Sequence, residues 1–162
     1  MINFLIKIFL IIFIQLFSIN SFADSIDDDM ANAYAEFIDL LNQNIIGIKK
    51  GKFCIFGSDE ISNAISLRNK DFLEIDEEMK NVELCNLIYI ANDKQKSFKF
   101  IGKKFTENKI ITIANYSGFA INDSGLIEIQ LGRRNFELII NKKALKANNL
   151  KLNPLIHSLV IN

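Results

Sequence analysis

The chain of 162 residues has no tryptophan, one proline, one histidine and two cysteines, and no two of its seven glycines are adjacent. Each shortage removes a class of chemistry. A single histidine, His157, rules out a histidine-based metal cluster. The dinucleotide and P-loop motifs need several glycines close together, for the tight turn and for close approach to phosphate, and no such group exists. No Gly/Ser tract, low-complexity segment or internal repeat divides the chain. Nineteen basic side chains balance nineteen acidic ones, so the chain as a whole carries no electrostatic footprint for nucleic acid or for an anionic lipid surface.

What is present begins with an address. Lys7 precedes an apolar run over residues 8–17, broken only by Gln15. Ser18-Ile19-Asn20 then turns polar, and Ser21-Phe22-Ala23 sets small residues three and one before a cut. This is the layout of a secretory signal peptide; the apolar core is about half of the ~20 residues that a bilayer span needs. The expected plan is a removed leader at 1–23 and one domain at 24–162, small enough for a single core. The mature protein is expected in the periplasm, without membrane insertion after cleavage and without a lipid anchor, since no cysteine stands at the cut. In an oxidising compartment the even pair Cys54 and Cys85 is a disulfide candidate, with two separate thiols as the alternative.

The pattern that follows is that of a layered α/β domain. Asp27-Asp28-Asp29 precedes Met30, Ala33, Tyr34, Phe37, Ile38 and Leu41, a helical stripe with acid at its positive end. Phe53-Cys54-Ile55-Phe56 reads as a buried strand closed by Gly57-Ser58-Asp59. A short helix carrying Ile61, Ala64, Ile65 and Leu67 follows, and then strands at 72–75 and 84–90. A lysine-rich helix from Asp93 carries Phe98, Ile101 and Phe105 and leads to a strand at 109–113. This alternation predicts a largely parallel central sheet with flanking helices. Near the end, runs at 126–131 and 136–140 flank Gly132-Arg133-Arg134-Asn135 and predict an antiparallel hairpin. Asn141 caps a further helix, and Asn153-Pro154 opens the last one, with Asn as N-cap and Pro in the first turn.

Catalytic readings find no footing. Asp59 and Glu60 put negative charge where a phosphate site after Gly57 needs the opposite. No G-x-S-x-G nucleophile elbow exists, and Asp76-Glu77-Glu78 reads as a solvated turn. No catalytic, cofactor-binding or metal-binding residue is assigned, and an enzyme is not expected.

The last third, with the two cysteine strands, resembles the YfiR-like periplasmic repressor family. The matching elements are Ile111-Thr112-Ile113, the turn Gly125-Leu126-Ile127, and a basic residue at Arg133 or Arg134. They continue through Phe136-Glu137-Leu138-Ile139-Ile140-Asn141, one residue longer than the family's form, to the tail Leu150-Lys151-Leu152 with Leu155. Phe53-Cys54-Ile55-Phe56-Gly57 and Cys85-Asn86-Leu87-Ile88-Tyr89-Ile90 look like the family's cysteine-bearing strands. The chain departs from many relatives in having Leu40-Leu41-Asn42-Gln43-Asn44 in place of an aromatic corner, and in lacking a second cysteine pair.

The resemblance implies an α/β sandwich and a Cys54–Cys85 disulfide. It also implies a non-catalytic regulatory protein that binds the periplasmic segment of an inner-membrane diguanylate cyclase and holds down cyclic-di-GMP synthesis. Redox state or envelope stress would relieve that repression, an outer-membrane lipoprotein is a further partner, and a homodimer stays open. Expected contact residues are Tyr116 and Phe119, in a loop between strands, and Arg133 and Arg134 at the hairpin tip; the alternative for these residues is that Phe119 packs locally and the arginines keep the hairpin soluble. The alternative is a periplasmic small-ligand binding module, with its pocket at the carboxyl ends of the strands.

Overall fold

A computed structural model describes residues 26–161, so the leader expected at 1–23 lies outside the described residues. The first helix, α1 (Asp28–Asn44), starts where Asp27 Oδ1 accepts from the Met30 N–H at 2.8 Å, with Asp28 and Asp29 in its first turn. The acidic triplet is thus a helix cap set against the positive end of the dipole. Its buried stripe is Ala31, Tyr34, Ala35, Phe37, Ile38 and Leu41. Met30 and Ala33, expected in that stripe, lie half-buried at its margin.

A two-residue strand, β1 (Ile45–Ile46), leads to β2 (Lys52–Phe56), α2 (Glu60–Arg68) and β3 (Leu73–Ile75). β4 (Cys85–Ile90), α3 (Gln95–Glu107) and β5 (Ile111–Ala114) follow, then the hairpin of β6 (Ile127–Leu131) and β7 (Phe136–Ile140). The chain closes with α4 (Lys142–Ala147), β8 (Lys151–Leu152), α5 (Pro154–His157) and β9 (Val160–Ile161). Seven strands form one sheet in the order β3-β2-β4-β5-β6-β7-β9, and β1 pairs with β8 in a separate ribbon. Every neighbouring pair in the large sheet is parallel except the β6–β7 hairpin. The mostly parallel sheet, the antiparallel hairpin and the flanking helices are those expected.

Side chains alternate between the two faces with period two, as strands must. Phe53 and Ile55 of β2, Leu87 and Tyr89 of β4, and Ile127 and Ile129 of β6 enter one core with α1, α2 and α5. Cys54, Phe56, Cys85, Ile88, Ile90 and Ala114 face the other, against Phe98 and Phe105 of α3 and against Phe119. Burial on both faces explains why β2 reads as an unbroken apolar run over residues 53–56. In the first core Phe136 lies 4.6 Å from Tyr34 and 4.8 Å from Phe37, ring centre to ring centre. In the second, Phe98 lies 5.8 Å from Phe105 and 4.8 Å from Phe119. Such offset and tilted aromatic pairs add to the area that they bury.

Two features differ from expectation. Leu67 is exposed rather than packed, because α2 ends one residue later and its last turn leaves the core. The helix opened by Asn153 and Pro154 is a single turn. It stops because the chain must extend again to add β9 beside β7.

Candidate functional site

In a parallel sheet, a ligand crevice forms where consecutive crossovers leave in opposite directions, at the carboxyl ends of the strands. Here that point lies between β2 and β4, since β3 continues to one side and β5 to the other. The protein's own carboxylates fill it. Asp59 Oδ1 accepts from the Ser62 N–H at 2.8 Å as N-cap of α2, and the Ser62 side chain bonds back to Asp59 in a capping box. Asp59 Oδ2 accepts from the Asn92 N–H at 2.8 Å and from the Tyr89 hydroxyl at 3.0 Å. Asp93 Oδ1 returns the link by accepting from the Ser58 N–H at 3.0 Å. The two loops are cross-tied, and the helix end that could hold a phosphate already holds a carboxylate. Gly57 is required: its φ is +95°, and a Cβ there would collide with Asp93 and Lys94. Burial and the Asp59 charge push the Tyr89 hydroxyl well above its ordinary pKa.

The same strands carry the disulfide. Cys54 and Cys85 are bonded, with Cα atoms 5.8 Å apart and a sequence separation of 31, and both are fully buried. Cys85 opposes Lys52 on the ladder, and the register then shifts so that Phe53 opposes Leu87. Asn86 is left over as a bulge, and Gly51 packs against it where a Cβ would meet the Leu84 carbonyl at 2.7 Å. The cross-link therefore pins β2 to β4 at the amino end, and Asp59 and Asp93 tie the same two strands together at the carboxyl end.

Tyr116 and Phe119 were expected to face a partner, and their burial corrects that expectation. Phe119 is wholly buried and Tyr116 nearly so, in edge-to-face contact 5.2 Å apart. The loop folds down over the sheet because its backbone donors find buried acceptors. The Ala120 N–H donates to Glu128 Oε2 at 3.2 Å and the Leu126 N–H to Thr112 Oγ1 at 2.9 Å. Gly125 lies directly over the Phe119 ring, where any Cβ would overlap it.

Glu128, fully buried in β6, escaped the sequence reading. The signal was available: a glutamate between Ile127 and Ile129 in a strand covered on both faces has no route to solvent. Its Oε1 accepts from Gln130 Nε2. Asp123, also buried, is paired with Lys99 at 3.4 Å. The Tyr116 hydroxyl has no hydrogen-bond partner, and burial together with the Asp123 and Glu128 charges pushes its pKa up.

Arg133 and Arg134 are exposed at the hairpin tip, beside Leu131, which is 55% exposed. An apolar pocket of about 730 Å³ lies elsewhere, between α4, β8 and α5, lined by Ile140, Leu145, Leu150 and Leu152 and by Lys142 and His157. At the carboxyl ends of the strands, where a ligand pocket is expected, the cross-tied loops fill the space between β2 and β4, and a smaller pocket of about 420 Å³ lies beside them at the ends of β2 and β3, lined by Phe56, Gly57, Ile75 and Lys94. Among the described residues, no group of three or more His, Cys, Asp or Glu side chains could hold a metal ion. Among the same residues, no helix is long and apolar enough to cross a membrane.

Fold and site together define a layered α/β domain, pinned by a disulfide between adjacent strands, whose switch-point crevice is closed by its own side chains. The family profile described as YfiR/HmsC-like matches residues 35–159, and the chain belongs to that family. No curated protein matches it. Among solved structures, the chain is similar to a conserved domain protein from Vibrio cholerae O1 biovar El Tor, with a TM-score of 0.60 at 8% identity. The likeness covers 80% of this chain and 58% of that one, so the chain spans little more than half of that neighbour.

Proposed function

We propose that the mature chain, residues 24–162 after loss of the leader, is a periplasmic regulator that acts by protein contact and not by catalysis. Its target is the periplasmic segment of an inner-membrane diguanylate cyclase, whose cyclic-di-GMP synthesis it restrains; an outer-membrane lipoprotein is the second partner. The observation that carries this reading is the family match over residues 35–159. The closed crevice between β2 and β4 agrees with it, because a scaffold that works by its surface needs no open switch point. Arg133 and Arg134 are the contact residues. They stand at the tip of a hairpin held rigid by five residue pairs of ladder, and arginine is enriched at protein interfaces.

The disulfide is the redox input. Reduction would release β2 from β4 beneath Phe56 and Phe98 and loosen the second core. The test is affinity capture from envelope extracts under oxidising and reducing conditions, with cyclic-di-GMP measured in cells that carry or lack the gene. Recovery of a cyclase under oxidising conditions, with higher cyclic-di-GMP in its absence, is the expected result. Unchanged cyclic-di-GMP and no captured membrane protein would reject it.

The alternative, a small-ligand module, is favoured by one observation: the apolar cavity of about 730 Å³ beside Lys142 and His157 falls within the usual size of ligand sites. Thermal shift against amino acids and vitamins tests it, since a ligand well above its Kd raises Tm.

A further inference from the structure

The chain is neutral overall, yet one helix is not. α3 carries Lys96, Lys99, Lys103 and Lys104 against a single acid, Glu107. Its buried side is Phe98, Gly102 and Phe105. At about 100° per residue, that fixes the outward line as Lys96, Phe100, Lys103 and Glu107, with Lys104 beside it. Phe100 is 87% exposed and has lysines one turn before and one turn after it. Lys99 is drawn aside to Asp123 at 3.4 Å, and Lys103 reaches Glu107 at 3.6 Å. Among the described residues, Lys96 and Lys104 have no acidic partner within ion-pair distance. α1 and α2 pack on the opposite face of the sheet, so α3 is the outermost helix on its own side.

We propose that this face of α3 rests on an anionic lipid surface. Phe100 enters among the headgroups, and Lys96, Lys103 and Lys104 lie against their phosphates. An apolar side chain at the centre of a basic helical face is the arrangement that interfacial helices use. The cations are all lysines, which suit a diffuse negative surface, whereas protein interfaces are depleted in lysine and enriched in arginine. A second copy docking through the same face would set lysines against lysines across the two-fold axis. The whole-chain balance hides this patch because its counter-charges, such as Asp27, Asp28 and Asp29, lie at the start of α1 on the other face. The proposal is independent of the partner's identity.

Protein purified from the envelope is sedimented with phosphatidylcholine vesicles that contain or lack phosphatidylglycerol, at low and high salt. Wild type and variants carry the same N-terminus. Binding is expected only to the phosphatidylglycerol vesicles, and it should weaken as salt rises. At about fivefold per lysine, the triple variant K96Q/K103Q/K104Q should bind roughly 100-fold more weakly. Phe100→Ser should lose about tenfold. Lys142→Gln with Lys143→Gln, on α4, should bind as wild type. All six positions are exposed, and melting curves verify that each variant is folded. Equal binding to both vesicle types, no binding to either, or full binding by the folded triple variant would overturn the proposal. So would a triple variant that loses an acidic protein partner while wild type ignores lipid.

Discussion

The Tyr89 hydroxyl lies 3.0 Å from Asp59 Oδ2 and so fastens the buried face of β4 to the cap of α2. One carboxylate serves the Ser62 N–H, the Asn92 N–H and this phenol together. Asp59→Ala removes a helix cap and leaves the Tyr89 hydroxyl with Asn115 Oδ1, at 3.1 Å, as its acceptor, and should cost about 1–2 kcal/mol in urea denaturation. Asp59→Asn keeps the cap and should cost less. A loss under about 0.5 kcal/mol for the alanine variant would mean that the crevice is held by something else.

All three tyrosines of the chain have raised pKa values: Tyr89 and Tyr116 through burial and nearby acids, and Tyr34 through burial. A tyrosine whose folded pKa exceeds its unfolded value of about 10 contributes stability that is complete below that pH. Above it the unfolded chain releases protons that the folded chain keeps, so stability falls as pH rises. The domain should therefore unfold in base, with tyrosinate absorbance appearing together with loss of helical circular dichroism. Tyrosinate absorbance that rises near pH 10 in protein still folded would contradict the burial of these hydroxyls.

The Cys54–Cys85 link closes a loop of 31 residues, for which chain entropy gives about 3.5–4 kcal/mol. Reduction, or Cys54→Ser, should lower Tm by about 10 °C for a domain of this size. Alkylation of the untreated protein should find neither thiol free. An identical melt before and after reduction would show that the strands hold without the bond.

Part of this architecture is legible in the residues alone, for physical reasons. β2 is covered on both faces, so residues 53–56 appear as a continuous apolar run, and β4 and β5 are interrupted only by Asn86 and Thr112. The caps at Asp27, Asn141 and Asn153 are visible because the side chains that accept the first N–H groups of each helix stand just before it. The loop over 116–125 was read as exposed because its composition, Asn115-Tyr116-Ser117-Gly118, is that of a surface turn. Its burial depends on Thr112 and Glu128, acceptors on other strands that local pattern cannot supply. β9 and the β1–β8 ribbon were missed for a similar reason: two-residue strands exist only because a partner is there to pair with them. The basic face of α3 is written in the chain but averaged away by net charge.

Gly125 should tolerate no side chain. Its Cβ would overlap the buried Phe119 ring, and Phe119 cannot retreat because Phe98 stands behind it at 4.8 Å. Gly125→Ala should cost about 1–3 kcal/mol as overpacking, measured by thermal melt. If the loss is real and structural, Phe119→Ala combined with it should cost less than the two single changes added, because the cavity makes room for the methyl group. Strict additivity would mean that the two residues do not clash.

The hairpin tip and the 116–125 loop should separate into two kinds of variant. Phe119→Ala empties a fully buried site and should cost about 3–5 kcal/mol, so any loss of partner binding would follow the loss of folded protein. Arg133→Glu with Arg134→Glu changes only exposed side chains and should leave Tm within about 2 °C. If these arginines touch the partner, the charge-reversed protein should stay folded and oxidised yet fail to retain it in affinity capture. Lysine at both positions should restore part of the binding if charge alone matters, and little if the planar fork of the guanidinium is used. Full partner binding by the charge-reversed protein would remove the hairpin tip from the contact surface.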